Sequence, residues 1–216
     1  MRWQEDSSLA RRMLDDLESE MWIDKKLPHL TELIYCLTAS WCRRVQPLPY
    51  TPQEVSLFAV GVGVEKVLLR SHRQHLEGVC DGIYYDADFL DYNNNVGEFK
   101  CTRKSMKYMP EEFPWGWEMQ VKGYMYALGK DQATLAAMCL MGDYRPPFPQ
   151  LGAWHGSASE QELANTWQWM CWRKEVYLDH LERKVMPRQF TYNQDYECQY
   201  CSFKVLCDAR EVIERD

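Results

Sequence analysis

Glu77-Gly-Val-Cys-Asp-Gly-Ile-Tyr-Tyr-Asp86, then Asp91-Tyr-Asn-Asn-Asn95, then Val96-Gly-Glu-Phe-Lys-Cys101 decide how this chain is read. Short runs rich in β-branched and aromatic residues flank an Asn/Asp cluster, the pattern of an outgoing strand, a turn and a returning strand. On the returning strand Glu98 and Lys100 are two residues apart and share a face. Asp81, on the outgoing run, supplies a second carboxylate. Two carboxylates can hold a hard divalent cation, Mg²⁺ or Mn²⁺, with water in the remaining positions. A lysine beside them can orient or help deprotonate an attacking water and offset charge at a phosphoryl oxygen. This is the chemistry of metal-assisted phosphodiester hydrolysis. The same residues also fit an exposed cross-strand charge pair.

Upstream, residues 8–22 read as an amphipathic helix and residues 31–44 as a second. Thr51-Pro-Gln-Glu54 combines an N-cap, a proline at the first helical position and a capping-box acid, predicting a helix to about residue 70. Its apolar stripe Val55, Phe58, Val62, Leu69 contains Glu65, and a carboxylate turned inward needs a partner or a metal. Downstream, residues 116–129 read as a helix ending at Gly129. Gln120 and Tyr124 share one of its faces. Residues 133–141 form an apolar run of strand length. Residues 142–156 read as loop, and Ser159-Glu-Gln-Glu162 opens a helix with Leu163, Trp167, Met170, Tyr177 and Leu181 on one stripe, ended by Pro187. The expected fold is α/β: a mixed central β-sheet flanked by helices, with a small cysteine-rich C-terminal appendage.

The 216 residues are 46% hydrophobic and 26% charged, which fits one globular domain and excludes a disordered tail protein. The net charge of −7 argues against general nucleic-acid binding, yet Lys100, Arg103, Lys104 and Lys107 place four cations within eight residues. There is no apolar run of membrane-spanning length and no signal-like N-terminus. The expectation is a cytoplasmic protein, with a viral origin left open. Nine cysteines in such a setting are not a disulfide framework. Cys198-x-x-Cys201-x₅-Cys207 offers three metal-ligating thiolates and needs a fourth. One distant ligand plus three close ones fits [4Fe–4S] better than the two-plus-two spacing of zinc sites. Of nine tryptophans, Trp115, Trp117, Trp167, Trp169 and Trp172 could stack on unpaired bases, although most belong in a core.

Taken jointly, Gly61 to Glu65, Asp81, Glu98-Phe-Lys100, Gln120-x-x-x-Tyr124 and the C-terminal cysteines resemble the RecB-type branch of the PD-(D/E)XK nucleases. The subgroup is similar to the stand-alone iron–sulfur nucleases, which include CRISPR-associated adaptation nucleases and AddB-like nuclease domains. The resemblance spans about residues 30–210 and implies a restriction-endonuclease-like core over about residues 45–186. An iron–sulfur appendage at 187–210 would be clasped to the N-terminal helices. It implies a metal-dependent DNA exonuclease in which Asp81, Glu98 and Glu65 bind Mg²⁺ or Mn²⁺, Lys100 activates water, and Gln120 and Tyr124 place DNA. Many relatives carry histidine where this chain has Glu65. The resemblance also implies Cys36 as the fourth cluster ligand, with Cys42 the second choice. DNA is the implied partner, together with a helicase, recombinase or CRISPR adaptation protein. Two other readings stand beside this one: a non-catalytic nucleic-acid-binding module with a structural cluster, and a zinc-stabilised interaction protein.

Overall fold

The computed structural model describes residues 7–19, 26–71, 76–109, 111, 113–141, 149–188, 194–199 and 201–213. Strands β1 (Leu76–Cys80) and β2 (Ile83–Ala87) form an antiparallel ribbon. Strands β3 (Phe89–Leu90), β4 (Val96–Thr102), β5 (Gln132–Cys139) and β6 (Gln150–Ser157) form a mixed four-stranded sheet in that order. β4 and β5 are parallel; the outer two pairings are antiparallel. The parallel pair is joined by helix α5 (Trp115–Ala127), since parallel strands need a long crossover.

Alternation along β4 assigns the faces of the sheet. Phe99 and Cys101 pack with Val64, Leu68 and Leu69 at the end of helix α4 (Pro52–Leu68). Glu98 and Lys100 face the other way. Their in-register neighbours on β5, Leu135 and Ala137, belong to that same side, and both pack with Trp117 and Val121 of α5. Behind α5 lies the main core. It joins helices α2 (Leu30–Ile34), α3 (Leu37–Val45), α5 and α6 (Glu160–Glu182) through Leu30, Leu33, Trp41, Met125, Met170 and Tyr177. Helix α1 (Ser7–Ser19) packs on α4.

The helix signals are realised locally. Thr51 and Glu54 form the reciprocal capping box of α4, and Ser159 and Glu162 that of α6. At the end of α5, Gly129 has φ +62; its N–H reaches Tyr126 O at 3.1 Å, and Lys130 N–H reaches Met125 O at 2.8 Å, a Schellman closure.

Four expectations are corrected. Residues 77–86 are not one strand but a hairpin. Asp81 and Gly82 both have positive φ, 48° and 74°, as a two-residue primed turn requires, and Asp-Gly is its sequence signature. Asp81 is therefore in a turn, not on a strand facing Glu98. The helix expected over 31–44 is broken at Tyr35 and Cys36, both in extended backbone. Residues 150–156, read as loop, belong to β6, whose polar and glycine-rich edge hid its pairing with β5. Phe58 is exposed, because α4 turns the Gly61, Val64, Leu68 side to the sheet. The helix expected over 8–22 is seen to Ser19; residues 20–22 lie outside the described residues.

The C-terminal part continues as α7 (Gln194–Gln199) and α8 (Lys204–Ile213). Phe203 is buried in the main core, and Glu197 Oε2 accepts from the Cys36 N–H at 2.8 Å. Thr38 Oγ1 donates to Arg188 O at 2.8 Å. No helix among the described residues is long and apolar enough to cross a membrane.

Candidate active site

Asp88 sits where the chain leaves the β1–β2 ribbon and enters the main sheet. The β3–β4 register pairs Leu90 with Val96 and Phe89 with Gly97, so one step on it sets Asp88 opposite Glu98. Asp88 Oδ2 accepts from the Phe99 N–H at 2.8 Å. Its carboxyl is also within hydrogen-bonding reach of Glu98, an acid–acid contact that needs a shared proton or a cation between the two.

Glu98 is buried in the sheet and Oε1 is saturated. It accepts from Lys100 Nζ at 2.6 Å and from Gln120 Nε2 at 2.9 Å. Gln120 Oε1 in turn accepts from Lys100 Nζ at 2.7 Å, and Gln120 Nε2 reaches Tyr124 Oη at 2.8 Å. Glu98 Oε2 is buried and accepts no hydrogen bond. Burial pushes the Glu98 carboxyl up to about 8, with Lys100 opposing and Asp88 adding to the rise. Burial likewise raises Asp88, against the Phe99 amide and Lys100. Burial alone would lower the Lys100 amine, but negative charge on its neighbours, Glu98 foremost, outweighs it and holds the amine above its ordinary value. The direction that reconciles the three is a charged Lys100 beside an Asp88–Glu98 pair that carries one proton in the absence of a cation.

Of the residues singled out from the sequence, Glu98, Lys100, Gln120 and Tyr124 meet in one network. Asp81 does not. It caps the far end of the hairpin, where its carboxylate accepts from Trp167 Nε1 at 2.8 Å and its carbonyl from Lys174 Nζ at 2.6 Å. A five-residue strand is roughly 16 Å long, and Asp81 and Asp88 lie beyond opposite ends of β2. Sequence reading missed Asp88. The signal was present: an acid ten residues before Glu98, at the end of an alternating run. Glu65 is half-buried on α4, the layer on the Phe99 side of the sheet. α4 crosses β4 near Cys101, beyond the two residues of β3 that cover that strand's outer edge. Among the described residues no three His, Cys, Asp or Glu side chains gather as a metal-binding group. Two carboxylates with an orphaned, buried oxygen nevertheless suit Mg²⁺ or Mn²⁺, which take one or two protein carboxylates and complete their shells with water and phosphate.

A profile of the PD-(D/E)XK nuclease superfamily matches residues 2–208. The chain belongs to that superfamily. PD-(D/E)XK nucleases typically use Mg²⁺ or Mn²⁺. Among solved structures, SSO0001 superposes with a TM-score of 0.59 at 18% identity, covering 96% of this chain and 98% of that one. The alkaline exonuclease LHK-Exo from Laribacter hongkongensis gives 0.45 at 10% identity, covering 79% and 97%. A phage-related exonuclease from Haemophilus somnus 129PT gives 0.42 at 12%, covering 82% of each chain. No curated protein matches by sequence. The first of these likenesses shows the fold of this PD-(D/E)XK chain.

A second group of residues sits between the two ends of the chain. Cys36 is buried, and Cys198, Cys201 and Cys207 are half-buried. Burial pushes Cys207 up to about 11, followed by Cys36, Cys201 and Cys198 as neighbouring thiols. Burial raises Cys42 to about 11 as well, with Cys207, Cys201 and Cys36 beside it. Cys42 Sγ points to Met186 Sδ at 3.6 Å.

Proposed function

We propose that the chain is a metal-dependent deoxyribonuclease that hydrolyses phosphodiester bonds with Asp88, Glu98 and Lys100. The carrying observation is the Asp88–Glu98 carboxyl contact with Lys100 clamped beside it by Gln120. A Mg²⁺ or Mn²⁺ ion held by Asp88 and Glu98 would supply Lewis-acid stabilisation of the phosphoryl oxygens and lower the pKa of water. Lys100, kept charged by its neighbours, is unsuited to take a proton. Its role here is to hold the attacking water or a phosphoryl oxygen and offset developing negative charge. Gln120 fixes the ammonium from one side, and Tyr124 fixes Gln120. Glu65, on α4 where the edge of β4 is uncovered, would complete the metal's surroundings, as the RecB-type resemblance implies. Action from DNA ends is the mode that the RecB-type resemblance implies.

For Cys36, Cys198, Cys201 and Cys207 we favour a [4Fe–4S] cluster. A single zinc ion needs four sulfurs about 2.3 Å from one point. These thiols are neighbours, and their three-close, one-distant spacing is the one that the resemblance pairs with a cluster. Cys36 is preferred to Cys42 because its backbone is tied through Glu197 to α7, the helix that carries Cys198. The cluster's role would be to staple the C-terminal segment to α2 and α3.

Purified protein, given end-labelled linear and circular single-stranded DNA with Mn²⁺ or EDTA, tests the main reading. Wild type should cut linear DNA with Mn²⁺ only. Lys100→Ala should lose about 10²- to 10³-fold in rate. Retained cleavage by Lys100→Ala would overturn the assignment.

A further inference from the structure

The break between α2 and α3 puts the Tyr35 ring against α5, the helix that carries Gln120. Its carbonyl accepts from the buried Arg173 guanidinium, whose Nε is held by Leu33 O. The same guanidinium lies over the Trp169 ring, 4.8 Å from its centroid. Trp169 meets Trp115 edge to face at 5.5 Å. Tyr35's ring covers Gly116 on α5: a Cβ there would stand 2.7 Å from Cε1 and 3.0 Å from Cζ and Oη, so only glycine admits the ring. Gly116 and Gln120 are four apart on one helix face, about 5.4 Å along the axis. The ring thus begins one turn from the side chain that clamps Lys100.

Tyr35 and Trp115 are each 37% exposed. Trp167 is buried, stacked on Tyr126 and bonded to Asp81, and Trp117 and Trp154 both pack against Phe113. Both rings are partly open to solvent at the start of α5, the helix that carries Gln120, on a base formed by Arg173 and Trp169.

We infer that Tyr35 and Trp115 form a stacking platform for an unpaired nucleobase adjoining the phosphodiester held at Asp88, Glu98 and Lys100. This rests on the nuclease reading and narrows its substrate to single strands and frayed ends. Bases within a duplex have both faces stacked on neighbours and offer none to a platform; an unpaired base does, whatever its identity. Because Tyr35 immediately precedes Cys36, the platform hangs from the same chain segment as the cysteine group.

The test uses full-length protein and single-stranded oligonucleotides carrying 2-aminopurine or an abasic site near either end. In EDTA, wild type should quench 2-aminopurine, and Tyr35→Leu and Trp115→Leu should not. With Mn²⁺, wild type should cleave the normal oligonucleotide roughly tenfold to hundredfold more efficiently than the abasic one. That ratio should fall towards one in both Leu variants and persist in Tyr35→Phe. It is taken within each variant, so a partly folded preparation cancels out. Equal cleavage of normal and abasic DNA by wild type, or unchanged quenching in both Leu variants, would overturn the platform. Failure of wild type to cut either oligonucleotide would sink the nuclease reading instead, while the fluorescence arm would still decide the platform.

Discussion

Asp88 and Glu98 face each other across the β3–β4 ladder, their carboxyl groups within hydrogen-bonding reach, and one buried Glu98 oxygen accepts no hydrogen bond. Two acids in that position are unstable as a doubly charged pair. They share a proton or they share a cation. The lysine two residues along the strand is bonded to the other Glu98 oxygen, which leaves Oε2 as the free ligand.

Asp88 and Asp81 should separate cleanly on mutation. Asp88→Asn removes the charge that pairs with Glu98 in holding a cation, and Mn²⁺-dependent cleavage should drop by at least about 10²-fold. Asp81→Asn should keep both cleavage and the hairpin. Asparagine adopts positive φ readily, and its side-chain oxygen can still accept from Trp167. Asp81→Ala should cost about 1–2 kcal/mol in thermal unfolding through the lost hydrogen bond, with turnover per folded molecule unchanged. Loss of cleavage in Asp81→Asn would contradict the placement.

The metal-free protein should lose stability as pH rises. The folded Glu98 carboxyl is raised to about 8 from an ordinary 4.5, so between these values the folded state holds a proton the unfolded chain has released. Stability is then greatest below the unfolded pKa and falls as pH climbs towards the folded one. The Tm in EDTA should drop by several degrees between about pH 5 and pH 8, and Mg²⁺ should restore more of it at pH 8 than at pH 5. A Glu98→Gln variant should flatten both effects. Identical pH profiles for wild type and Glu98→Gln would exclude Glu98 as the titrating group.

Anaerobically purified protein should be brown, with about four irons per chain. Cys198→Ala and Cys36→Ala should bleach it and lower the thermal midpoint, because the C-terminal segment then loses its tie to α2 and α3. Cys42→Ala should keep the iron and lose only core packing beside Met186. Stoichiometric zinc without iron would refute the cluster, and iron loss in Cys42→Ala with retention in Cys36→Ala would reassign the fourth ligand.

Glu65→Gln should shift the Mn²⁺ concentration for half-maximal cleavage upward, about tenfold or more, with partial rescue at high Mn²⁺, as expected of a group that completes the metal's surroundings. Glu65→His should retain more activity than Glu65→Ala. Superimposable Mn²⁺ curves for wild type and Glu65→Gln would remove Glu65 from the site.

The local features were legible in the sequence because their causes are local. Capping boxes at Thr51 and Ser159 act within four residues, the Gly129 closure within six, and the two-residue spacing of Glu98 and Lys100 puts them on one face of any strand. The i, i+4 spacing of Gln120 and Tyr124 brought both to that network for the same reason. Which acid would meet Glu98 was a different kind of question. Asp81 and Asp88 are both plausible by composition, and the choice depends on register. A primed turn at Asp81-Gly82 folds the first strand back on itself, and the chain then changes sheets at Asp88. Shifting a strand pairing by a few residues alters no local propensity but exchanges every cross-strand neighbour. The same holds for Tyr35. Nothing near it in sequence marks its place; a break between two short helices, a buried arginine from α6 and a glycine on α5 bring its ring onto α5, one turn from Gln120. Spacing along the chain determined which side chains could act together, and long-range packing alone decided which of them meet.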